Sequence, residues 1–199
     1  MAGRRSNERA LGFFFDTNKC IGCRTCHVAC KDLHNLNLGP ITRKVRAFEV
    51  GSFPNVDGFR LAESCYHCTN ARCIRACPTA AIYRAEDGTV QVNQELCIGC
   101  AACVPVCPYG APQMDTDKRV MVKCDSCIEL RAAGQNPVCV DACLMRCIDF
   151  GTMGELAAKH GPGLVSELPV MPSSRTTNPN VVIKAKPVAL RRDFREVEI

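Results

Sequence analysis

The sequence predicts an α+β fold built from repeated cysteine-bearing units, each a loop, a short helix and a hairpin, with a C-terminal arm. Three observations lead there. Cysteine fills 17 of the 199 positions, several times the usual share. Sixteen of these fall into four groups of four with short internal spacings, and helical then strand-like stretches recur around the groups. Apolar residues make up 47% of the sequence and aromatics only 6%, so large core side chains are scarce and something besides hydrophobic packing must hold it together.

The elements follow in order. Leu11–Asp16 reads as a short apolar strand entering group one, Cys20, Cys23, Cys26 and Cys30. Residues 26–38 carry Val28, Ala29, Leu33 and Leu36 at helical spacing, and Gly39-Pro40 stops that helix. Residues 42–50 are strand-like and return through residues 59–62 after a turn region at Pro54 and Gly58. Group two is Cys65, Cys68, Cys73 and Cys77, followed by segments 81–84 and 89–92 around Glu86-Asp87-Gly88, a hairpin signal. Group three, Cys97, Cys100, Cys103 and Cys107, leads into a second such hairpin, 112–114 and 120–123. Group four is Cys124, Cys127, Cys139 and Cys143, and Cys147 is left over.

Past Gly151 the cysteines stop. Residues 155–159 add a helical turn or two, Gly161-Pro162-Gly163 breaks it, and residues 164–199 hold a strand-like Val181–Lys184 in a polar, Pro-containing stretch. This tail is too poor in apolar residues to fold alone and is expected to dock on the body or a partner. The plan is tandem ferredoxin-like: two modules of two cysteine groups each, one inserted in the other, with short helices and hairpins. Residues 1–62 and 112–160 form the two parts of the outer module, the first with a β insertion. Residues 63–111 form the inner module, and 161–199 the tail.

Seventeen is odd, and no long apolar segment precedes the first cysteine, so a complete disulfide framework fits poorly. Arg4-Arg5 lacks the apolar stretch that a twin-arginine signal needs and reads as an ordinary basic N-terminus. No run approaches about 18 apolar residues, so no membrane span is expected. The formal charge of +5 would suit an anionic partner, but the basic residues are dispersed, which speaks against nucleic acid.

Groups one and three have the form C-x2-C-x2-C-x3-C, and Pro108 follows group three. That spacing serves [4Fe–4S] clusters held by four thiolates. Gly22, Gly99, Ala101 and Ala102 let the backbone come close. In two-cluster modules the fourth cysteine points at the neighbouring cluster, so motifs work in pairs. The adjacent groups two and three give Cys65, Cys68, Cys73 and Cys107 for one cluster, and Cys97, Cys100, Cys103 and Cys77 for its neighbour. By nesting, Cys20, Cys23 and Cys26 combine with Cys143, and Cys124, Cys127 and Cys139 with Cys30. The competing arrangement closes each group on itself. Structural zinc also uses C-x2-C pairs, but has no use for a third cysteine at x2 and a fourth at x3.

His27 and His67 sit in or beside the cysteine loops, where every group already has four thiols, so they read as packing or as hydrogen bonds to sulfur. Lys123, Arg24, Arg72 and Arg146 put positive charge near cysteines; they either favour the reduced cluster or are solvated surface. Cys147 reads as a buried free thiol. No catalytic triad, activated carboxylate pair or phosphate-cradling loop stands out, and fully cysteine-ligated clusters leave no iron position for substrate. The expected role is that of a wire for single electrons between partners that do the chemistry.

The order of spacings, x2-x2-x3, x2-x4-x3, x2-x2-x3 and x2-x11-x3, resembles the four-cluster iron–sulfur subunits of the molybdopterin oxidoreductase superfamily. Within them it is most similar to the dimethyl sulfoxide reductase B-subunit family. Further shared strings are Gly12-Phe13-Phe14-Phe15-Asp16, Cys107-Pro108-Tyr109-Gly110-Ala111-Pro112-Gln113, Asp149-Phe150-Gly151 and Asn178-Pro179-Asn180-Val181-Val182-Ile183-Lys184. The resemblance implies a molybdopterin-containing catalytic subunit on one side and commonly a quinol-oxidising membrane anchor on the other. It also implies a non-catalytic, peripheral role, on the periplasmic face after co-export with the catalytic subunit or else in the cytoplasm. Related subunits serve formate dehydrogenase, thiosulfate or polysulfide reductase, hydrogenase and aromatic dehydroxylase complexes. A zinc-stabilised interaction scaffold is the alternative from another class. Leu144, where the family often has proline, and Cys147, where a small residue is usual, depart from the pattern. Cys103 stands where some relatives have tryptophan and a [3Fe–4S] cluster, so cysteine favours four [4Fe–4S] clusters.

Four oxidised clusters, each about −2 with its thiolates, would carry the net charge from +5 to near −3. The basic surplus thus balances buried cluster charge, and the clusters staple a thin core, so the metal-free chain is expected to be largely unfolded.

Overall fold

In the computed structural model, which describes residues 8–198, strand β1 (Leu11–Asp16) lies inside a four-stranded sheet. It pairs antiparallel with β8 (Ile148–Thr152) and parallel with β10 (Val181–Lys184), which in turn pairs with β9 (Leu164–Val165). Phe13, Phe14 and Phe15 are all buried, which is why this strand reads as an unbroken apolar run rather than an alternation. Gly12 permits the close approach of the tail: a Cβ there would lie 2.3 Å from the Asn180 carbonyl oxygen. Arg4 and Arg5 lie outside the described residues.

A second sheet is the hairpin β2 (Arg43–Ser52) and β3 (Asn55–Ser64), with β11 (Phe194–Val197) on the other edge of β2. Phe48 and Phe59 face each other across the ladder with rings stacked 5.1 Å apart. Arg46 ties β11 on through two bonds to Glu196, of 2.8 and 2.6 Å. Two small hairpins, β4 (Ile82–Arg84) with β5 (Val90–Val92) and β6 (Gln113–Asp115) with β7 (Val120–Val122), follow cysteine groups two and three.

The helices are short: α1 (Thr25–Leu33), α2 (Arg72–Ala76), α3 (Cys103–Val106), α4 (Ile128–Ala132), α5 (Val138–Asp141) and α6 (Met153–His160). A capping box between Thr152 and Glu155 starts α6, and Asp149 holds its far end through Lys159 at 2.7 Å and His160 at 2.8 Å. No helix is long and apolar enough to cross a membrane among the described residues.

Helix α1 departs from the sequence expectation. It ends at Leu33, because Asn35 takes a left-handed conformation (φ 45°), and it buries Cys26 and Cys30 rather than its aliphatic stripe. Val28 and Leu33 are exposed. The i, i+4 pair facing inward is the thiol pair, and the apolar periodicity lies on another face of the same helix.

Residues past Gly161, which composition reads as a docking arm, supply strands to both larger sheets. Leu168, Val181, Ile183 and Ala189 are buried in the main core beside Phe13, Phe15, Phe48 and Ile148. Cys26, Cys65, Cys124, Cys139, Cys143 and Cys147 belong to that core as well. A smaller core gathers Ala71, Ile82, Val90, Cys103 and Met121.

Candidate metal centres

All seventeen cysteines are free thiols, and the fold gathers them into four sets drawn from different groups. One cavity is lined by Cys65, Cys68 and Cys73 together with Cys107 (site 2). Another is lined by Cys97, Cys100 and Cys103 together with Cys77 (site 3). A third is lined by Cys20, Cys23 and Cys26 with Cys143, and also by Cys147 (site 1). In the fourth set (site 4), the thiols of Cys124 and Cys127 lie within electrostatic reach of Cys30 and Cys139.

The exchange between groups follows from helix geometry. Cys26 and Cys30 are four residues apart on α1, facing sites 1 and 4; Cys139 lies in α5 and Cys143 just beyond it, facing sites 4 and 1. Cys73 in α2 faces site 2 and Cys77 at its end faces site 3, while α3 does the reverse with Cys103 and Cys107. A four-residue step advances about 6 Å along a helix axis, so one face can serve two neighbouring sites.

The loops repeat a backbone device. The residue before the second cysteine has positive φ in all four groups: Gly22 at 80°, His67 at 45°, Gly99 at 68° and Ser126 at 57°. Backbone N–H groups reach the sulfurs: Met121 donates to Cys97 Sγ at 3.4 Å, and Ser126 to Cys124 Sγ at 3.4 Å. Such donors favour the more negative state of a bound cluster.

Several of the bare thiols resist ionisation. Burial pushes Cys26, Cys68 and Cys127 up to about 12 and Cys73 to about 11, and neighbouring thiols push in the same direction. Cys124 rises well above the ordinary thiol value for the same reasons. Thiols gathered in fours, several of them held protonated by burial, are a donor set for a multivalent iron centre, whose positive charge offsets part of theirs. Buried polar atoms without partners accompany them, namely Arg43 Nε, Tyr66 Oη and His67 Nε2, and Tyr66 lines site 2. The residues fit the group.

Cys147 is buried in site 1, with its Sγ 3.3 Å from Cys143 Sγ and its backbone N–H donating to the same sulfur at 3.3 Å. A hydrogen bond from Cys147, and one from Gly22, bring Cys20 down to about 7 against the effect of burial. His67 is fully buried and accepts from the Val90 N–H at Nδ1, 3.0 Å. Burial, then Lys123 and Arg131, keep its imidazole neutral. His27 is half-buried, and burial with Arg24 and Lys31 lowers its pKa. Of the four cations singled out in the sequence, Lys123 is buried, lines site 2 and donates to the Cys124 carbonyl at 2.9 Å. Arg24, Arg72 and Arg146 are exposed.

Two neighbours of site 4 escape sequence reasoning. His34 Nε2 stands 3.6 Å from Cys127 Sγ and 3.5 Å from Asp125 Oδ1. Arg43 is 2% exposed and its Nη2 donates to Cys139 Sγ at 3.3 Å. A signal for Arg43 exists in the strand alternation, since it shares its phase with the buried Val45 and Ala47.

Comparison with known proteins defines the class first. The 4Fe-4S dicluster domain family matches residues 56–153, and the 4Fe-4S binding domain family matches residues 11–32; this is an iron–sulfur protein. The sequence is 40% identical over 181 residues to the B chain of the anaerobic dimethyl sulfoxide reductase of Escherichia coli, covering 87% of each. It is 41% identical over 143 residues to the thiosulfate reductase electron transfer subunit of Salmonella typhi, covering 70% of this chain and 74% of that one. To the B subunit of the sulfite dehydrogenase of Allochromatium vinosum it is 35% identical over 163 residues, covering 71% and 68%. This protein belongs to the family of dimethyl sulfoxide reductase B chains, iron–sulfur electron-transfer subunits of oxidoreductase complexes.

Proposed function

We propose that the chain is a non-catalytic relay carrying four [4Fe–4S] clusters between a molybdopterin-containing catalytic subunit and a quinol-linked membrane anchor or other redox partner. The ligands are Cys20, Cys23, Cys26 and Cys143 at site 1; Cys65, Cys68, Cys73 and Cys107 at site 2. Site 3 uses Cys97, Cys100, Cys103 and Cys77, and site 4 uses Cys124, Cys127, Cys139 and Cys30. When bound, the clusters supply one-electron steps.

The observation that carries this reading is the sharing of helices. Each of α1, α2, α3 and α5 brings cysteines to two sites, which links site 1 to site 4 and site 2 to site 3. Lys123 lines site 2, where its charge acts on Cys73, and bonds to the carbonyl of Cys124 of site 4, closing the series as 1, 4, 2, 3. Cys23 and Cys100, one at each end of that series, are the two exposed cysteines, flanked by exposed Ile21 and Ile98. An exposed ligand with an apolar rim suits contact with a partner at both ends.

In this arrangement the inner module, 63–111, is inserted between the two parts of the outer one, 1–62 and 112–160, and 161–199 is the docking tail. The complex is peripheral to the membrane, on the periplasmic face through co-export with its catalytic subunit. The names of the thiosulfate reductase and sulfite dehydrogenase relatives keep other sulfur substrates open for that subunit. Anaerobic isolation of the native complex tests the proposal. A molybdenum-containing partner should copurify, and dithionite-reduced clusters should reoxidise on adding dimethyl sulfoxide. Copurification with no oxidoreductase, or clusters that stay reduced with every sulfur oxide tried, would contradict it.

A further inference from the structure

Arg43 opens β2 with its guanidinium inside the protein, 2% exposed. Its Nη1 donates to the Ala62 carbonyl at 3.2 Å, its Nη2 to Cys139 Sγ at 3.3 Å, and the group lies over the Phe13 ring, 4.4 Å from the centroid. No ion pair involves Arg43 among the described residues, and its Nε has no hydrogen-bond partner there. A guanidinium stays protonated even when buried, and an uncompensated buried charge costs several kcal/mol or more. The groups able to carry negative charge that act on it most strongly are thiols: Cys139, Cys124 and Cys30 of site 4, and Cys26 of site 1.

We infer that Arg43 is a fixed cation shared by sites 1 and 4, which raises the reduction potentials of both and leaves sites 2 and 3 untouched. The inference rests on the proposal that these sites hold clusters. Reduction adds one electron to a cluster without changing its ligands, so a nearby positive charge in a low-dielectric interior stabilises the reduced form. Because one guanidinium touches a thiol of site 4 and lies within electrostatic reach of Cys26 of site 1, the two potentials rise together. It is a positioning and tuning residue and touches no substrate. The chain reaches this arrangement by placing a charge on the inward face of a strand, beside Val45 and Ala47, where an aliphatic residue would otherwise pack.

The test is potentiometric titration, followed by electron paramagnetic resonance, of the anaerobically purified complex carrying Arg43→Met or Arg43→Lys. Methionine keeps the length and the packing against Phe13 but removes the charge; lysine keeps the charge and loses the planar fork. In Arg43→Met, two of the four centres are expected to show a reduced-to-oxidised ratio about tenfold lower at a fixed potential, about 59 mV for a one-electron couple. The other two should be unmoved, and Arg43→Lys should stay within about threefold of the parent. Unchanged potentials in a fully iron-loaded Arg43→Met, or an equal shift in all four centres, would overturn the inference. Should Arg43→Met fail to load iron, a loaded Arg43→Lys with near-parental potentials upholds the need for charge. Iron loss in both variants would make Arg43 structural. Iron content of the parent tests the four-cluster proposal separately.

Discussion

Lys123 Nζ donates to the Cys124 carbonyl at 2.9 Å and, through a second short bond, to the Val90 carbonyl, so its ammonium is pinned between sites 2 and 4. The side chain is buried, and its charge favours the ionised form of Cys73. Replacing it with methionine should lower the potential of site 2 and, to a smaller degree, site 4. A tenfold fall in the reduced fraction, about 59 mV, is expected in a redox titration. No movement at either site would make the lysine a carbonyl clamp only.

Cys147 lies against Cys143 with the sulfurs 3.3 Å apart, which raises the question of which one ligates. The proposed ligand is Cys143. Cys147→Ser should then retain all the iron, whereas Cys143→Ser should lose about one cluster's worth, four iron. Metal analysis of the two purified variants decides. Iron loss from Cys147→Ser with retention in Cys143→Ser would reverse the assignment.

Ile183 is fully buried and pairs with Phe15 across the β1/β10 ladder. Truncation to alanine should cost about 2–5 kcal/mol, because a core strand cannot collapse around the gap without moving its parallel neighbour. Chemical denaturation under anaerobic conditions reads this directly. A loss well under 1 kcal/mol would mean that the tail is a detachable arm.

Stripping iron with a chelator should unfold the chain, since six thiols lie in the main core and the metal supplies the cross-links that hold a thin core together. Far-ultraviolet circular dichroism should lose most of its signal, and heating should show no cooperative transition. A cooperatively melting iron-free chain would contradict this.

Much of the molecule is legible in the sequence because its chemistry is local. Cysteine spacings of two and three residues fix loops and short helices, and Glu86-Asp87-Gly88 marks its hairpin, closed by the Thr89 N–H bond to Asp87 Oδ1 at 2.9 Å. What stays hidden depends on the third dimension. The aliphatic stripe of α1 predicts the wrong buried face, because the clusters' thiols compete for the interior and win. The tail looks too polar to fold, yet Leu168, Val181 and Ile183 from it pack into one core. Arg43 reads as one dispersed charge among 25 basic residues until β2 turns it inward. His34 meets Cys127 across a sequence separation of 93 residues, which no local pattern records.

The series of four linked sites is tested most directly by iron and acid-labile sulfide analysis of the anaerobically purified protein, combined with a reductive titration. About sixteen iron, sixteen sulfide and four one-electron reductions per chain are expected. Zinc in place of iron, or a protein folded with fewer than four reducible centres, would contradict it.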